Sequence, residues 1–186
     1  MSNVRVYDIA SRTWKTQKAT SKDGDSPRGR MDFCAVAMSA QDHSSHQIYF
    51  YGGYPDGPGT RLPLDDVWVL TLPSFQFIRV GNSVEATRIS GTCAVISPQY
   101  LLAYRGRSFV EGEQDLESFN SLGNASLALL DLTDLEWKTE YIPTNTSMVY
   151  RVPQKIIEMI GGEYVLLIFT VIRTVYSYHL AKLAMQ

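Results

Sequence analysis

Residues that bind metal ions or move protons are few in this chain. It contains three histidines, His43, His46 and His179, and only the first two are close in sequence. Asp42 directly precedes them, so two imidazoles and a carboxylate could together bind a metal ion. A polar run of this kind is also typical of a solvated loop, which is the interpretation that we favour.

Other catalytic and cofactor motifs are absent from the sequence. It has no Cys-x-x-Cys pair, phosphate-binding loop or Gly-x-Ser-x-Gly nucleophile elbow. The segment Asp23-Gly24-Asp25 is too short for a calcium-binding loop and lacks the distal glutamate. We therefore assign no catalytic residue, no metal ligand and no cofactor, and we predict no enzymatic activity.

The two cysteines, Cys34 and Cys93, begin similar segments that read Cys-Ala-Val-Ala-Met and Cys-Ala-Val-Ile-Ser. The favoured interpretation makes both of them small buried apolar residues. A disulfide needs Cα atoms within about 7 Å, and we expect equivalent strands of neighbouring units to lie farther apart. The cysteines therefore select no cellular compartment.

Charge and hydropathy argue against two classes of partner. The 186 residues carry a net charge of −2, and no basic run interleaves with aromatic residues, so we predict no nucleic-acid partner. The apolar run at residues 164–172 ends at Arg173, whereas a membrane-spanning helix needs about 20 apolar residues. A membrane span is therefore disfavoured. No signal-peptide pattern is present, and the localisation stays open.

A repeated aromatic pattern organises the chain. An Asp precedes a Trp by six residues twice, as Asp8 with Trp14 and as Asp131 with Trp137, and Lys-Thr follows each Trp. A degenerate copy between them carries Phe77 in the Trp place, so the intervals are 63 and 60 residues. A fixed period of this size indicates an array of one repeated unit.

Each complete unit is predicted to contain four short strands, called a, b, c and d. The apolar runs are rich in Val, Ile, Tyr, Leu and Phe and are bounded by Gly, Pro, Asp and Ser, which favours strands over helices. Strand b ends in glycine, at Gly52-Gly53 and again at Gly106, where the chain turns sharply and positive φ is needed. Strand d carries the Trp or Phe.

Four antiparallel strands with Gly-Gly after the second and Trp on the fourth resemble the kelch repeat of β-propellers. The resemblance implies an all-β fold, a partial kelch β-propeller of about two and a half four-stranded antiparallel blades. The departures are Arg105 in the first glycine place and Phe77 in the Trp place. The kelch marks are expected to be structural rather than catalytic, and they are Tyr7, Trp14, Gly52, Gly53, Phe77, Gly106, Leu130 and Trp137.

Two narrower resemblances carry different implications. Fungal kelch-repeat proteins are similar to this chain in the segments Val152-Pro153-Gln154 and Ile160-Gly161-Gly162, which follow the propeller. Galactose oxidase shares kelch-type blades, and its family binds copper through two His and two Tyr. No His lies in the b–c or d–a loops here, so the resemblance implies no copper site in the residues present.

The repeats divide the chain into a propeller, a linker and a tail. We expect a partial propeller at residues 1–143, made of a half blade (1–17) and two blades (28–80 and 88–142), then a linker with a short helix (144–162) and an atypical apolar tail (163–186).

The first unit lacks strands a and b, so we expect a fragment of a longer kelch protein. Alone, such a fragment would be poorly soluble or would need a partner to complete the ring. The linker helix, starting near Pro153, is expected to pack on the last blade. The tail is either a genuine segment or translated intron, since codons for Gly162-Glu163-Tyr164-Val165 can contain a fungal splice-donor sequence.

The long loops concentrate on one face of the predicted propeller, the face from which b–c and d–a loops leave. Binding residues gather on loops carried by a rigid scaffold, so we predict a binding surface there. The acidic run at residues 111–117 either meets a basic partner or is simply solvated. The candidate binding-face residues are Arg28, Arg30, Tyr54, Asp56, Arg61, Arg107, Phe109 and Glu111.

The sequence favours a protein-interaction scaffold that binds a protein partner and has no catalysis of its own. The alternative is a fragment of a secreted or membrane-anchored carbohydrate-binding or oxidase-like propeller protein. If the chain is secreted, its two Asn-x-Ser sequences allow N-glycans at Asn124 and Asn145.

Overall fold

The computed structural model describes residues 1–56, 64–82, 90–105, 127–143 and 149–160. The strands in these ranges are β1 (Asn3–Asp8), β2 (Thr13–Lys18), β3 (Thr20–Ser21), β4 (Arg30–Met31), β5 (Cys34–Ser39), β6 (His46–Tyr51), β7 (Tyr54–Pro55), β8 (Asp66–Leu72), β9 (Gln76–Asn82), β10 (Ser90–Ser97), β11 (Tyr100–Arg105), β12 (Leu127–Asp131) and β13 (Glu136–Lys138). One helix, α1, spans Gln154–Ile160. The predicted positions outside the described residues are Arg61, Gly106, Arg107, Phe109, Glu111, Asn124, Asn145 and the tail at 163–186.

Two large sheets follow the predicted order of strands. The central sheet has the order β3-β9-β8-β6-β5, in which β5, β6, β8 and β9 are antiparallel neighbours and correspond to strands a, b, c and d. The C-terminal sheet has the order β10-β11-β12-β13 and is also antiparallel. The predicted all-β fold is confirmed, and this architecture is consistent with part of a kelch propeller.

The first unit is a two-stranded hairpin of β1 and β2. The chain then adds β3 to the outer edge of the central sheet, where β3 pairs in parallel with β9. This added strand was not predicted, because a two-residue strand leaves no periodic signal in the sequence. It connects the hairpin to its neighbour through the outermost strand.

The repeat is in register across all three units. The cross-strand pairs are Tyr7 with Trp14, Leu70 with Phe77, and Leu130 with Trp137. Each aromatic residue on the last strand therefore lies opposite an apolar residue on the strand before it. The interval read from the sequence is thus an interval between equivalent positions in successive sheets.

The Asp of the repeat shapes the turn between strands c and d. The Oδ1 atom of Asp8 accepts hydrogen bonds from the amides of Ala10 at 3.0 Å and Ser11 at 3.2 Å. Asp131 accepts one from the amide of Thr133 at 2.7 Å. Such bonds from an Asp side chain to nearby amides are a common way to stabilise a turn, which explains why the Asp keeps its spacing from the Trp.

The main core lies between the central and C-terminal sheets. The central sheet contributes Val69 and Ile78, and the C-terminal sheet contributes Leu101 and Leu130, all fully buried. The opposite face of the central sheet forms a second core around Trp68 and Phe77, with Val4 of the hairpin packed against it. The central sheet is therefore apolar on both faces, which explains the nearly continuous apolar run along β8.

A disulfide joins Cys34 of β5 to Cys93 of β10, and their Cα atoms are 5.6 Å apart. The expectation that these strands lie too far apart for a bond was wrong. The first strands of the two sheets, β5 and β10, lie in direct contact. The cysteines consequently bridge two sheets instead of filling two separate cores.

The segment after the C-terminal sheet packs between the two sheets. Ile156 of α1 is fully buried in the core that both sheets share, and the Lys155 ammonium donates to the Val80 carbonyl of β9 at 3.2 Å. The predicted helix is present, but it contacts the central sheet as well as the last one. It therefore seals the main core, with Pro153 buried directly before its first turn.

A tyrosine pair anchors this segment to the central sheet. The hydroxyls of Tyr49 and Tyr150 share a buried hydrogen bond of 2.7 Å, and their rings meet edge to face. Burial raises the pKa of both phenols, and for Tyr49 the neighbouring Tyr150 adds to the rise. The folded state therefore favours the neutral forms.

We predict that the disulfide contributes substantially to stability. Its closed loop spans 59 residues, for which the chain-entropy model gives about 4 kcal/mol. Replacing both cysteines with Ala should lower the free energy of unfolding by about this amount in guanidinium titrations. The wild-type chain under a strong reductant is the matched comparison, and equal midpoints for oxidised and reduced chain would contradict the prediction.

A second prediction concerns the tyrosine pair. Tyr49→Phe leaves the Tyr150 hydroxyl buried without its partner and should cost about 1–3 kcal/mol. The double variant Tyr49→Phe/Tyr150→Phe removes both hydroxyls and should be closer to wild type, as measured by urea unfolding near neutral pH.

The same pair predicts a loss of stability in alkali. Because both pKa values are raised in the folded state, the contribution is complete below the ordinary phenol pKa of about 10 and is lost as pH rises above it. The double variant should lack this part of the alkaline loss. Tyr7→Phe, at an exposed tyrosine, is the control that should retain it.

Candidate functional site

The structure brings four of the predicted binding-face residues together at one end of the central sheet. The d–a connection contains Arg28 and Arg30, and the b–c connection contains Tyr54 and Asp56. A short antiparallel ribbon of β4 and β7 joins the two connections, pairing Arg30 with Pro55 and Met31 with Tyr54. The two loops are therefore one unit held by main-chain hydrogen bonds.

Further backbone bonds extend this ribbon. The amide of Asp56 donates to the Gly29 carbonyl at 3.0 Å, and the amide of Leu64 donates to the Gly53 carbonyl at 2.8 Å. The first bond holds the b–c connection against the d–a connection, and the second joins the two ends of the b–c connection to each other.

Gly53 allows the two connections to approach closely. It has φ of +84°, and a Cβ placed there would lie 2.5 Å from the Met31 carbonyl oxygen and 2.9 Å from the Phe33 Cβ. Gly52 before it also has positive φ. The glycine pair read from the sequence is therefore required both by the turn and by the close packing beneath the ribbon.

Arg30 lies beneath the ribbon as a buried cation. Its guanidinium donates to both carboxylate oxygens of Asp66, at 2.7 Å and 3.0 Å, and to the Gly52 carbonyl at 3.1 Å. The same group lies 5.4 Å from the centre of the Phe50 ring. A bidentate pair of this kind fixes geometry as well as charge, so Arg30 connects three segments of the site.

The prediction that Arg30 belongs to the exposed binding surface is corrected by this burial. Its buried guanidinium binds the carboxylate of Asp66, at the start of strand β8, and is not exposed for contact with a partner. A buried arginine requires such pairing because an unpaired charge in a protein interior is very costly. Its role is to position the loops that carry the neighbouring exposed residues.

Asp66 is held in its ionised form by its neighbours. Burial alone would raise the pKa of this carboxyl, but hydrogen bonds from Arg30 and from the Trp68 indole lower the pKa below its usual value. The network is therefore fully charged at neutral pH.

Five side chains on the ribbon and the residues beside it make up a surface that we call the rim patch. Three of its members were predicted, and two apolar members, Met31 and Phe33, were not. Both are exposed and lie just before β5 in the chain. Apolar residues in a loop beside an Arg are a sequence signal that could have identified them. The rim patch comprises Arg28, Met31, Phe33, Tyr54 and Asp56.

The composition of the rim patch suits recognition of a protein. Aromatic residues, Met and Arg are enriched at the centres of protein interfaces, and Lys and Glu are depleted. Arg28 and Asp56 add one charge of each sign at the margin.

The histidine loop lies at the other end of the central sheet. His46 Nδ1 shares a 2.8 Å hydrogen bond with Ser39 Oγ, and the Asp42 carboxylate accepts from the amide and hydroxyl of Ser44. His43 lines an apolar groove of about 490 Å³ between β5 and β10. Within the described residues, no three side chains of the metal-binding types form a cluster.

The remaining kelch marks lie within the sheets. Trp137 packs against Tyr51 of the central sheet with ring centres 5.0 Å apart, and Phe77 is buried against Phe50 at 6.1 Å. Leu130 is fully buried between the sheets. Tyr7 and Trp14 of the hairpin contact each other at 5.1 Å but stay exposed. In the part of the chain that the structure describes, no helix has the length and apolar character needed to cross a bilayer.

We predict that the Arg30–Asp66 pair sets the stability of the site. Arg30→Ala removes the charged donor to the half-buried Asp66 carboxylate, which keeps only its bond from the Trp68 indole among these contacts, and should cost about 1.5–3 kcal/mol. Arg28→Ala, at an exposed neighbour, should change stability by less than about 0.5 kcal/mol. Thermal and urea unfolding would measure both values, and equal effects of the two substitutions would contradict the assignment.

The pair also predicts sensitivity to acid. Because the Asp66 pKa is lowered in the folded state, its contribution is complete above the ordinary Asp pKa of about 4 and is lost as pH falls through the folded value. Asp66→Asn should be less stable at neutral pH and should lack this acid-dependent loss.

Comparison with known proteins supports the kelch-like interpretation. No family model matches the chain. The chain is 33% identical over 188 aligned residues to a kelch repeat-containing protein of Arthroderma benhamiae. The match covers 88% of this chain and 26% of that protein, so the chain spans about a quarter of the length of its relative. The chain is therefore similar to a kelch repeat-containing protein over most of its own length, and its antiparallel sheets agree with that similarity.

Proposed function

We propose that this chain is a kelch-repeat propeller segment that serves as a protein-interaction scaffold and binds its partner through the rim patch. The observation that carries the proposal is the exposure of Met31 and Phe33 beside a ribbon that backbone hydrogen bonds and the Arg30–Asp66 pair hold in place. A surface held in one conformation loses little entropy when it binds. The similarity to a kelch repeat-containing protein supports the kelch-repeat part of the proposal.

The chemistry of the rim patch defines the kind of partner. Its centre is apolar and aromatic, so it suits a partner segment with one or two apolar side chains. Arg28 and Asp56 at the margin suit opposite charges on that segment. The chain matches only about a quarter of its relative. The partners of a complete propeller are therefore also part of this proposal, and they would contact residues outside this chain as well.

The disulfide supports an oxidising compartment, which the second candidate requires: a fragment of a secreted or membrane-anchored carbohydrate-binding or oxidase-like propeller protein. Disulfides persist in oxidising compartments and are rare in the cytosol, and Cys34–Cys93 joins two sheets of this chain. Secretion is compatible with either ligand class. A protein ligand remains our first proposal because the rim patch is richer in apolar and aromatic side chains than in hydroxyl and amide groups.

The test is to select, from a displayed peptide library, peptides that bind the oxidised full chain. The affinity of the selected peptides is then measured for the wild-type chain and for its variants. Met31→Ser and Tyr54→Ala should each weaken selected ligands by about tenfold or more, because central interface anchors supply most of the binding energy. Gln41→Ala, at an exposed residue on the opposite face, is the control and should bind like wild type. Circular dichroism would verify that each variant is folded.

Two outcomes would refute the rim patch as the binding surface. Ligands that bind all variants equally would place recognition elsewhere. Binding of oligosaccharides on a glycan array, with no selected peptide, would favour the carbohydrate-binding alternative.

A further inference from the structure

Met31 is the methionine of the rim patch, and its side chain is open to solvent. The residue is 51% exposed. Two other methionines in the described ranges, Met38 and Met159, are partly buried and pack against the main core. Met1 is 36% exposed. Among these four methionines, Met31 is therefore the one most accessible to a small reagent in water.

The backbone around Met31 holds its side chain at the surface. Met31 pairs with Tyr54 across the β4–β7 ribbon. Its carbonyl oxygen lies so close to Gly53 that a Cβ on that glycine would be 2.5 Å away from it. Met31 is therefore held by two contacts with the b–c connection, and its side chain cannot move into the core unless those contacts break.

The sulfur groups of the chain leave methionine as the group that reacts with a mild oxidant. Both cysteines of the sequence, Cys34 and Cys93, are joined in the disulfide, so no thiol competes for the oxidant. Oxidation converts the flexible apolar side chain of methionine into a polar sulfoxide. Such a change alters a binding surface most when the methionine lies within that surface, as Met31 does.

We propose that Met31 is an oxidation site that controls ligand binding by the rim patch, with a hydroperoxide as the oxidant. This inference rests on the proposed function of the rim patch. The sulfur lone pair attacks the terminal oxygen of the hydroperoxide, so that an S–O bond forms and the O–O bond breaks. The proton on that oxygen passes to the leaving hydroxide or alkoxide. The sulfur loses two electrons, and the hydroperoxide is reduced to water or an alcohol.

The sulfoxide changes the chemistry at the apolar part of the rim patch. It places a strong hydrogen-bond acceptor where the proposed partner presents an apolar side chain. Burial of a polar group without a hydrogen-bond partner is costly, so the partner binds the oxidised patch more weakly. Phe33 and Tyr54 are unchanged by this reaction, and the main-chain bonds of the ribbon do not involve the thioether. Oxidation therefore lowers affinity and leaves the fold intact.

The first measurement locates the oxidation and needs no ligand. The disulfide-bonded full chain is treated with dilute hydrogen peroxide, and mass spectrometry of its proteolytic peptides follows the sulfoxide at each methionine over time. Met31 should be oxidised faster than Met38 and Met159, because these two pack against the core. Circular dichroism should report an unchanged fold. Equal rates at the three methionines would contradict the proposal.

The second measurement is the affinity for selected peptides before and after peroxide treatment. Treatment of the wild-type chain should weaken binding by about tenfold or more, as expected for loss of an interface anchor. Met31→Leu keeps an apolar side chain of similar size but has no thioether there, so its affinity should not change on treatment. Met38→Leu is the matched control, which keeps Met31 and should respond like wild type. Equal losses of affinity in Met31→Leu and wild type would overturn the proposal.

The outcomes separate this inference from the proposed function. Peptides that bind Met31→Ser as well as wild type refute the rim patch as the binding surface, and the oxidation proposal fails with it. Peptides that depend on Met31 but keep their affinity after Met31 is oxidised refute the oxidation proposal alone.

Discussion

The contact between the central and C-terminal sheets is the interaction on which the rest of the structure depends. Its centre is a layer of fully buried aliphatic side chains, among them Val69, Ile78 and Leu101. Burial of such side chains contributes about 1.5–3 kcal/mol each. The contact also brings together groups that are distant in sequence, because Cys34 and Cys93 are 59 residues apart and Tyr49 and Tyr150 are 101 residues apart.

The binding loops depend on a different kind of interaction, a buried ion pair. Arg30 and Asp66 join the end of the d–a connection to the start of strand β8. Gly53 leaves room for the backbone of Met31 and for Phe33. A buried pair is a costly means of stabilisation, but its directional hydrogen bonds give the loops one defined geometry. The packed sheets supply most of the stability, and the polar network around Arg30 and Asp66 holds the loops that carry the rim patch.

The central sheet shows how the repeat builds two successive cores. An interior unit has both faces covered, as the central sheet has here. Each repeat unit contacts its neighbours. The Leu70–Phe77 pair therefore lies in the core that Val4 of the hairpin contacts, and the Leu130–Trp137 pair packs against the central sheet.

The sequence by itself determined the local structure, because strand periodicity, turn residues and the spacing of Asp8, Trp14, Asp131 and Trp137 are properties of short segments. It also identified the loops that meet at the rim patch. Only the tertiary structure decided that Cys34 reaches Cys93, that Arg30 is buried, that Met31 and Phe33 are exposed, and that α1 seals two sheets. These properties depend on distances between segments that pack face to face, and no local pattern in a chain encodes such distances.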